Sequence, residues 1–422
     1  MNIWILQTGE PLHTDAGSPR PMRAMNLADA LVARGHQVTI WSSAFYHQKK
    51  QHRTHAFSRH EVKPGLTINL IPSPGYSRNI GPARLVDHAV MASQLWRILD
   101  RGGSAAPDVV FIGFPPIETA AVMTRWCIER EIPILLDAKD QWPTIFLEPL
   151  PRSLRPIGRI ALAPYFAMAR YSLKNASAFC SMSDDFLAWM TELSGRPRHQ
   201  ADCVAPLSAP RMTATREELE IASNWWLEHG VDLEKRNIIA FVGTLNSGFD
   251  FTPVAELVKR CNEESLGYEF VIAGDGDMRP KVEATFRGVS SVKFPGWIDR
   301  SLIVALYAHS AAVIAPYRSN DAFDRSTPNK IVDAFAAGCP VVTSLGGITQ
   351  SLIAEHRVGI ATSDVDEQLA LLRKILRDRF EHEGMRDRAA TLYQTRFNHE
   401  LVYGKLSDQL EMLAQARNVP RN

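Results

Sequence analysis

The sequence lacks most of what would fix a secreted or membrane-spanning protein. It has only five cysteines (Cys127, Cys180, Cys203, Cys261 and Cys339), odd in number, far apart and without a CxxC pair. That pattern argues against a disulfide framework and against a structural zinc site, and it predicts a reducing, cytoplasmic setting. No stretch approaches the roughly 20 apolar residues of a membrane span. The opening MNIWILQTGEP has no basic leader and reads as a first strand, not as a signal peptide. There is no excess of one charge either: 47 Lys+Arg face 46 Asp+Glu, so nothing global points to nucleic acid. Internal repeats and low-complexity segments are absent.

What is present is a long alternation of short β-rich runs with helical periodicity. The 422 residues suit two domains at the usual size of roughly 150 residues or more each. In the first half, strands are expected at Asn2–Leu6, 37–41, Leu66–Ile71, 109–112, 133–137 and 178–182, with helices at 22–34, 83–100 and 117–129. This is the rhythm of βαβ units in a parallel sheet. A proline-rich stretch near 195–210 precedes a second series, with strands at 237–241, 268–273, 291–294, 311–316 and 340–343 and helices at 252–261 and 331–337. The expected division is 1–205, 206–385 and 386–422. The last helical pattern, 383–416, is too long for one more crossover helix, and its end is expected to pack back onto the first domain.

Two segments carry candidate chemistry. Val271-Ile272-Ala273-Gly274-Asp275-Gly276-Asp277 ends a strand in glycines, where backbone amides can approach a ligand closely. The dinucleotide fingerprint G-x-G-x-x-G is not completed, because Arg279 and Pro280 follow, so a hydride-transferring dehydrogenase is disfavoured. A plain turn fits equally well. The second segment, Ser326-Thr327-Pro328-Asn329-Lys330-Ile331-Val332-Asp333 through Gly338-Cys339-Pro340, reads as a helix capped by Ser326 or Thr327 and stopped by Gly338. Its N-terminal amides and partial positive charge suit a diphosphate. A capped core helix is the alternative.

Phe241-Val242-Gly243-Thr244-Leu245, Ala273-Gly274-Asp275-Gly276, Phe294-Pro295-Gly296-Trp297, Ala315-Pro316-Tyr317 and Pro328 to Val342, in this order, resemble the donor domain of glycosyltransferase family four. The first half adds Gly17-Ser18-Pro19-Arg20 and Arg34-Gly35-His36-Gln37-Val38-Thr39, similar to that family's glycine loop and "rGHeVtv" signature. Asp137-Ala138-Lys139-Asp140-Gln141-Trp142-Pro143 is similar to the "DlWP" segment of the branch that builds O-antigen, capsule and exopolysaccharide repeats. The resemblance implies an α/β fold of the GT-B type, with two Rossmann-like domains facing a central cleft. It also implies retaining transfer from a nucleotide-sugar to a lipid-linked (polyprenyl-diphosphate) envelope precursor, with no metal and no other cofactor, at the inner face of the cytoplasmic membrane. By the same resemblance Asp333, Asp140 and Lys330 are the catalytic candidates. Gly17, Arg20, Gly243, Thr244, Gly274, Ile298 (through its backbone), Arg318, Arg325, Asn329, Lys330, Asp333, Gly346 and Gly347 are the donor-side candidates. Arg23, Lys139, Lys49, Lys50 and Arg53 are the acceptor-side ones.

The departures from that pattern are specific. Of two glutamates eight positions apart in most members, the second matches Asp333 and the first falls on Arg325. Thr244 stands where an arginine is usual, and a common histidine is replaced near Gly113. Neutralising a departing diphosphate therefore falls to Arg318, Arg325 and Lys330, with solvated loop charge the alternative for the two arginines. Two further stretches bear on the acceptor. Residues 46–60 hold Lys49, Lys50, Arg53 and Arg59 with four histidines and no acid, a field suited to a lipid diphosphate or an anionic bilayer, or else a solvated loop. Arg152 to Arg170 mixes cations and apolar residues as an interfacial helix does, and equally as a core-facing helix with a basic outer face. A sugar-nucleotide epimerase and a non-catalytic scaffold remain open as other functions.

Overall fold

The computed structural model describes residues 1–17, 20–78, 81–102, 105–208, 210–235, 237–318 and 321–417. The chain divides into two compact units, 1–206 with the segment from Val402 onward, and Leu207–Leu401.

In the first unit the strands are β1 (Asn2–Leu6), β2 (Gln37–Ser43), β3 (Phe45–Tyr46), β4 (Gln51–His52), β5 (Ser58–Lys63), β6 (Leu66–Ile71), β7 (Val109–Phe114), β8 (Ile134–Ala138), β9 (Ala178–Ser181) and β10 (Cys203–Val204). Eight of them form one sheet in the order β10-β9-β8-β7-β1-β2-β6-β5. All neighbours are parallel except β5, which runs antiparallel to β6 at the edge. The central strands are buried along their whole length: β7 and β8 expose no residue. Such runs are what a sheet covered by helices on both faces requires. β5, by contrast, is mostly exposed and polar, a charged edge of the kind that discourages further strand pairing.

The second unit holds β11 (Ile238–Val242), β12 (Glu269–Ala273), β13 (Val292–Gly296), β14 (Ser310–Ala315), β15 (Val341–Thr343) and β16 (Gly359–Ala361), all parallel, in the order β13-β12-β11-β14-β15-β16. Its order reverses direction at β11, with β12 on one side and β14 on the other. Ligands in open parallel sheets lie at the carboxyl ends of the strands beside such a reversal.

The expected C-terminal helix differs in form. Instead of one helix over 383–416 there are two, Arg379–Leu392 and His399–Arg417, separated by a π turn at Tyr393–Phe397. The second does return to the first unit, where Val402, Tyr403, Leu406 and Leu410 join the core of Ile3, Ile5, Leu27 and Leu31. Arg34 pairs with Asp408 at 2.6 Å and Glu411 at 3.1 Å, and Gln409 donates to the Ala201 carbonyl at 2.6 Å. No described helix is long and apolar enough to cross a membrane.

Candidate functional site

In the second unit the carboxyl ends of β11, β12 and β13 are laced together by main-chain bonds. Gly243 donates to Ala273 at 2.9 Å, Leu245 to Asp275 at 2.9 Å, and Gly274 to Gly296 at 2.7 Å. Side chains would prevent this approach: a Cβ at Gly274, whose φ is +140°, would lie 1.9 Å from the Gly243 carbonyl oxygen. The glycine turn thus does structural work at the strand edge, where the amides of Gly243, Leu245, Gly274 and Gly276 are spent on internal bonds. Asp275 accepts from the Gly276 amide at 2.8 Å and has Arg279 at 3.8 Å.

Lys330 crosses this edge. It leaves the start of the helix Asn329–Ala336, donates to the Val242 carbonyl at 3.0 Å, and lies 5.2 Å and 5.4 Å from the ring centres of Phe241 and Phe249. Its ammonium occupies the place where a Cβ at Gly243 would stand, 1.5 Å away. Gly243, Gly274 and Lys330 are therefore brought together, and Asn329 opens the same helix. The helix start differs from the expected one, with Ser326 or Thr327 as the cap residue. Pro328 holds the cap position, with no side-chain bond to the helix, because its extended backbone (ψ 152°) starts the helix one residue later. Asp333 follows Lys330 by one turn, and its charge reaches the phenol of Tyr393, which burial pushes up first and Asp333 further.

Thr244 is exposed. Ile298 is 4% exposed, while its neighbour Trp297 is 75% exposed. Arg318 has Asp250 at 3.6 Å and lines a cavity of about 370 Å³ with Asp250, Pro316, Tyr317, Thr343 and Ser344. The Asp250 carboxyl is held below its usual range, first by the Thr252 amide. Arg325 is half-buried. The Gly346 amide is already engaged, 3.2 Å from Asp324 Oδ1, and a Cβ at Gly347 would strike the Asp324 carbonyl at 2.0 Å. Asp324 is thus a carboxylate at this edge one position before Arg325.

In the first unit, β1 and β8 end at a buried chain of alternating charge. Arg23 Nε lies 3.2 Å from Asp137 Oδ2, Asp137 lies 4.0 Å from Lys139, and Lys139 pairs with Glu10. Glu10 also accepts from the Ala24 amide at 2.7 Å, and Arg23 donates to the Ala205 carbonyl at 2.6 Å. Side-chain exposure is 1% for Arg23 and 0% for Asp137. Burial opposes the Arg23 charge, but Asp137 foremost, with smaller contributions from Cys180, Tyr403 and Glu10, outweighs it and keeps the guanidinium protonated. Arg23 is therefore no acceptor-facing cation: it ties the helix Arg23–Ala33 to β8. Glu10, the organiser of this chain, gave no motif in the sequence.

Asp140 follows Lys139. Its side chain is exposed while the surrounding protein is dense, and its carboxyl is pushed up to about 6, chiefly by desolvation and against the pull of Arg84 and Lys139. Contact with water limits that rise. Gly17 is described and has open space around it, and Arg20 is exposed. Ser18 and Pro19 lie outside the described residues. At Gly113 the space a larger side chain would take is filled by Gln7, whose Oε1 lies 1.6 Å from where a Cβ would stand.

The basic stretch 46–60 does not form one solvated field. Arg53 is turned inward onto Asp15 with two bonds of 2.6 Å, at 8% and 4% side-chain exposure. Lys50 lies 4.5 Å from the Tyr76 ring and 3.2 Å from His47 Nδ1. Only Lys49, on the Ala16 carbonyl at 3.1 Å, is exposed among the three. Deeper, Arg84 stacks 4.8 Å from Trp142, and His88 Nδ1 lies 3.7 Å from Glu118 Oε2. Burial pushes His88 down to about 3 and His47 to about 4, nearby cations adding to both, and burial pushes Glu118 up. His88 therefore enters this contact as a neutral imidazole at neutral pH.

The sign of this effect is testable. An unfolded histidine takes up a proton near pH 6.5 while buried His88 does not, so lowering the pH from 7 to 5 favours the unfolded chain. His88→Asn is expected to lose less melting temperature over that interval than the unaltered protein, by scanning calorimetry; parallel losses would show that His88 carries none of the acid sensitivity.

Comparison with known proteins agrees with this architecture. Residues 22–206 match the family described as glycosyl transferase 4-like domain, and residues 236–378 match glycosyl transferases group 1. No curated protein matches by sequence. Among solved structures, Anabaena HepE in complex with UDP and glucose is 13% identical with a TM-score of 0.64, covering 98% of this chain and 100% of that one. Sucrose-phosphate synthase from Thermosynechococcus elongatus is 13% identical, TM-score 0.66, over 98% and 99%. WaaG, described as a glycosyltransferase involved in lipopolysaccharide biosynthesis, is 16% identical, TM-score 0.63, over 97% and 99%. At these identities the likeness speaks for the fold.

Proposed function

Since this chain belongs to the group 1 glycosyl transferases, we propose that it transfers a sugar, with retention, from a nucleotide-sugar to a lipid-diphosphate-linked envelope polysaccharide precursor. The observation that carries the donor half is the glycine edge of β11 and β12 with Lys330 lying across Gly243. The glycines let an ammonium lie against the strand ends, a cation placed where a diphosphate gathers negative charge. The uridine nucleotide and glucose named for HepE support a donor of this class, and the lipopolysaccharide role named for WaaG supports an envelope acceptor.

In the proposed reaction the bond from the anomeric carbon to the diphosphate oxygen breaks, and the acceptor hydroxyl oxygen forms the new glycosidic bond on the same face. The hydroxyl proton passes to the leaving diphosphate. Lys330, with Arg318 and Arg325, neutralises the departing charge without a metal, Asp333 steadies the sugar, and Asp140 orients the acceptor hydroxyl. The protein would act peripherally at the cytoplasmic face of the membrane.

A thermal-shift screen against UDP-, GDP- and dTDP-sugars, with and without EDTA, tests the donor half. A ligand at 100 times its dissociation constant adds about 2.7 kcal/mol of stability. A base-selective shift that EDTA leaves unchanged is expected. No shift with any donor would count against nucleotide-sugar transfer, and an EDTA-sensitive one against metal independence.

A further inference from the structure

One apolar surface of the first unit is exposed among the described residues. The helix Arg155–Ala161 buries none of its residues. Leu154, Ile157 and Ile160 are 46%, 63% and 76% exposed, and nearby Phe146 is 38% exposed. The inward side is marked by Gly158, where a Cβ would meet Leu150 Cδ1 at 2.6 Å and Leu147 Cδ2 at 2.9 Å. Residues two apart on an α-helix stand about 200° round the axis from each other, so Ile160 points away from the protein.

After Glu148 the chain that forms this face carries charge of one sign. From residue 149 to 183 there is no aspartate or glutamate, while Arg152, Arg155, Arg159, Arg170 and Lys174 fall in that span. Among the described residues Arg155 donates to the carbonyls of Leu150 and Glu148, at 3.3 Å each, and Arg159 lies 5.2 Å from the Phe166 ring. These cations are thus not spent on carboxylates, unlike Arg53 on Asp15. The two basic stretches differ in this: Arg53 of the stretch at 46–60 is turned onto Asp15, whereas Arg152, Arg155 and Arg159 are all exposed.

We propose that the face bearing Leu154, Ile157 and Ile160 is the surface by which the protein rests on an anionic lipid bilayer. Protruding isoleucines enter the boundary between headgroups and acyl chains, while the flanking arginines extend to lipid phosphates. A bilayer offers both an apolar layer and negative charge to such a convex patch. The proposal takes its biological sense from the lipid-linked acceptor above, but vesicle binding is measured without donor or transfer, so either can fail alone.

The test is co-sedimentation of the full chain with vesicles of phosphatidylcholine alone and of phosphatidylcholine mixed with phosphatidylglycerol. Binding to the mixed vesicles, weakened by salt, is expected. Ile157→Ser with Ile160→Ser should reduce it roughly tenfold or more, as the loss of two buried aliphatic side chains implies. Arg155→Gln and Arg159→Gln should each reduce it about fivefold, and all variants should keep the nucleotide response. Equal binding to neutral vesicles, or an unchanged serine variant, overturns the proposal. So does a dimer in solution that the serine variant abolishes with no vesicle binding by the unaltered chain, since the face would then belong to a second copy.

Discussion

Asp137→Asn is expected to destabilise the first unit by about 3–5 kcal/mol, because it leaves the Arg23 guanidinium buried without its counter-charge. The magnitude follows from position. Both side chains are essentially inaccessible, so water cannot replace the lost partner. Asparagine keeps the shape of the side chain, so little of the loss comes from a cavity. For a unit of this size the change corresponds to roughly 6–20 °C in melting temperature, read in the transition that involves the first unit. The double replacement Arg23→Met with Asp137→Leu removes both charges and is expected to recover most of the loss. A single-variant loss below about 1 kcal/mol would mean that water reaches Arg23, contrary to the burial described.

Lys330→Ala is expected to weaken nucleotide binding about 10–100-fold with the fold intact. Hydrogen bonds to charged groups contribute about 1.5–3 kcal/mol each, and alanine is a favourable residue in the helix that carries position 330. Gly243→Ala reaches the same group from the other side, since its methyl would fall on the ammonium. Because both changes displace one cation, their effects on binding should not add. Isothermal titration with the nucleotide that gives the largest thermal shift measures both variants and the double variant. Unchanged affinity in Lys330→Ala would remove Lys330 from the site, and full additivity would mean that Gly243→Ala acts through the backbone instead.

The sequence pattern located the sheets well because parallel strands buried on both faces must be continuous apolar runs, as β7 and β8 are. Elements at the margin were harder to find. β5 is polar and exposed, so its place in the sheet depends on β6 and not on its own pattern. The helix Arg216–Glu228 carried a readable signal that was missed, Thr215 and Glu218 forming a reciprocal cap at its start. The break at Tyr393–Phe397 has no glycine or proline to announce it. At the site, glycines and Lys330 were legible through motif order. Glu10 and Asp324 were not, since each acts through a partner distant in sequence: Glu10 through Lys139, and Asp324 through Gly346. Arg23 and Arg53 show the converse, where a cation in a basic context is consumed by an acid elsewhere in the chain.

The return of the helix His399–Arg417 bears on how the protein is made. Tyr403, Leu406 and Leu410 complete a core whose other members are supplied within the first 206 residues or so. On the ribosome that core stays open while the whole second unit is synthesised, whereas the second unit has all its strands before the final helix emerges. The later-numbered unit can therefore close first, and a premature stop near residue 400 would damage the earlier one.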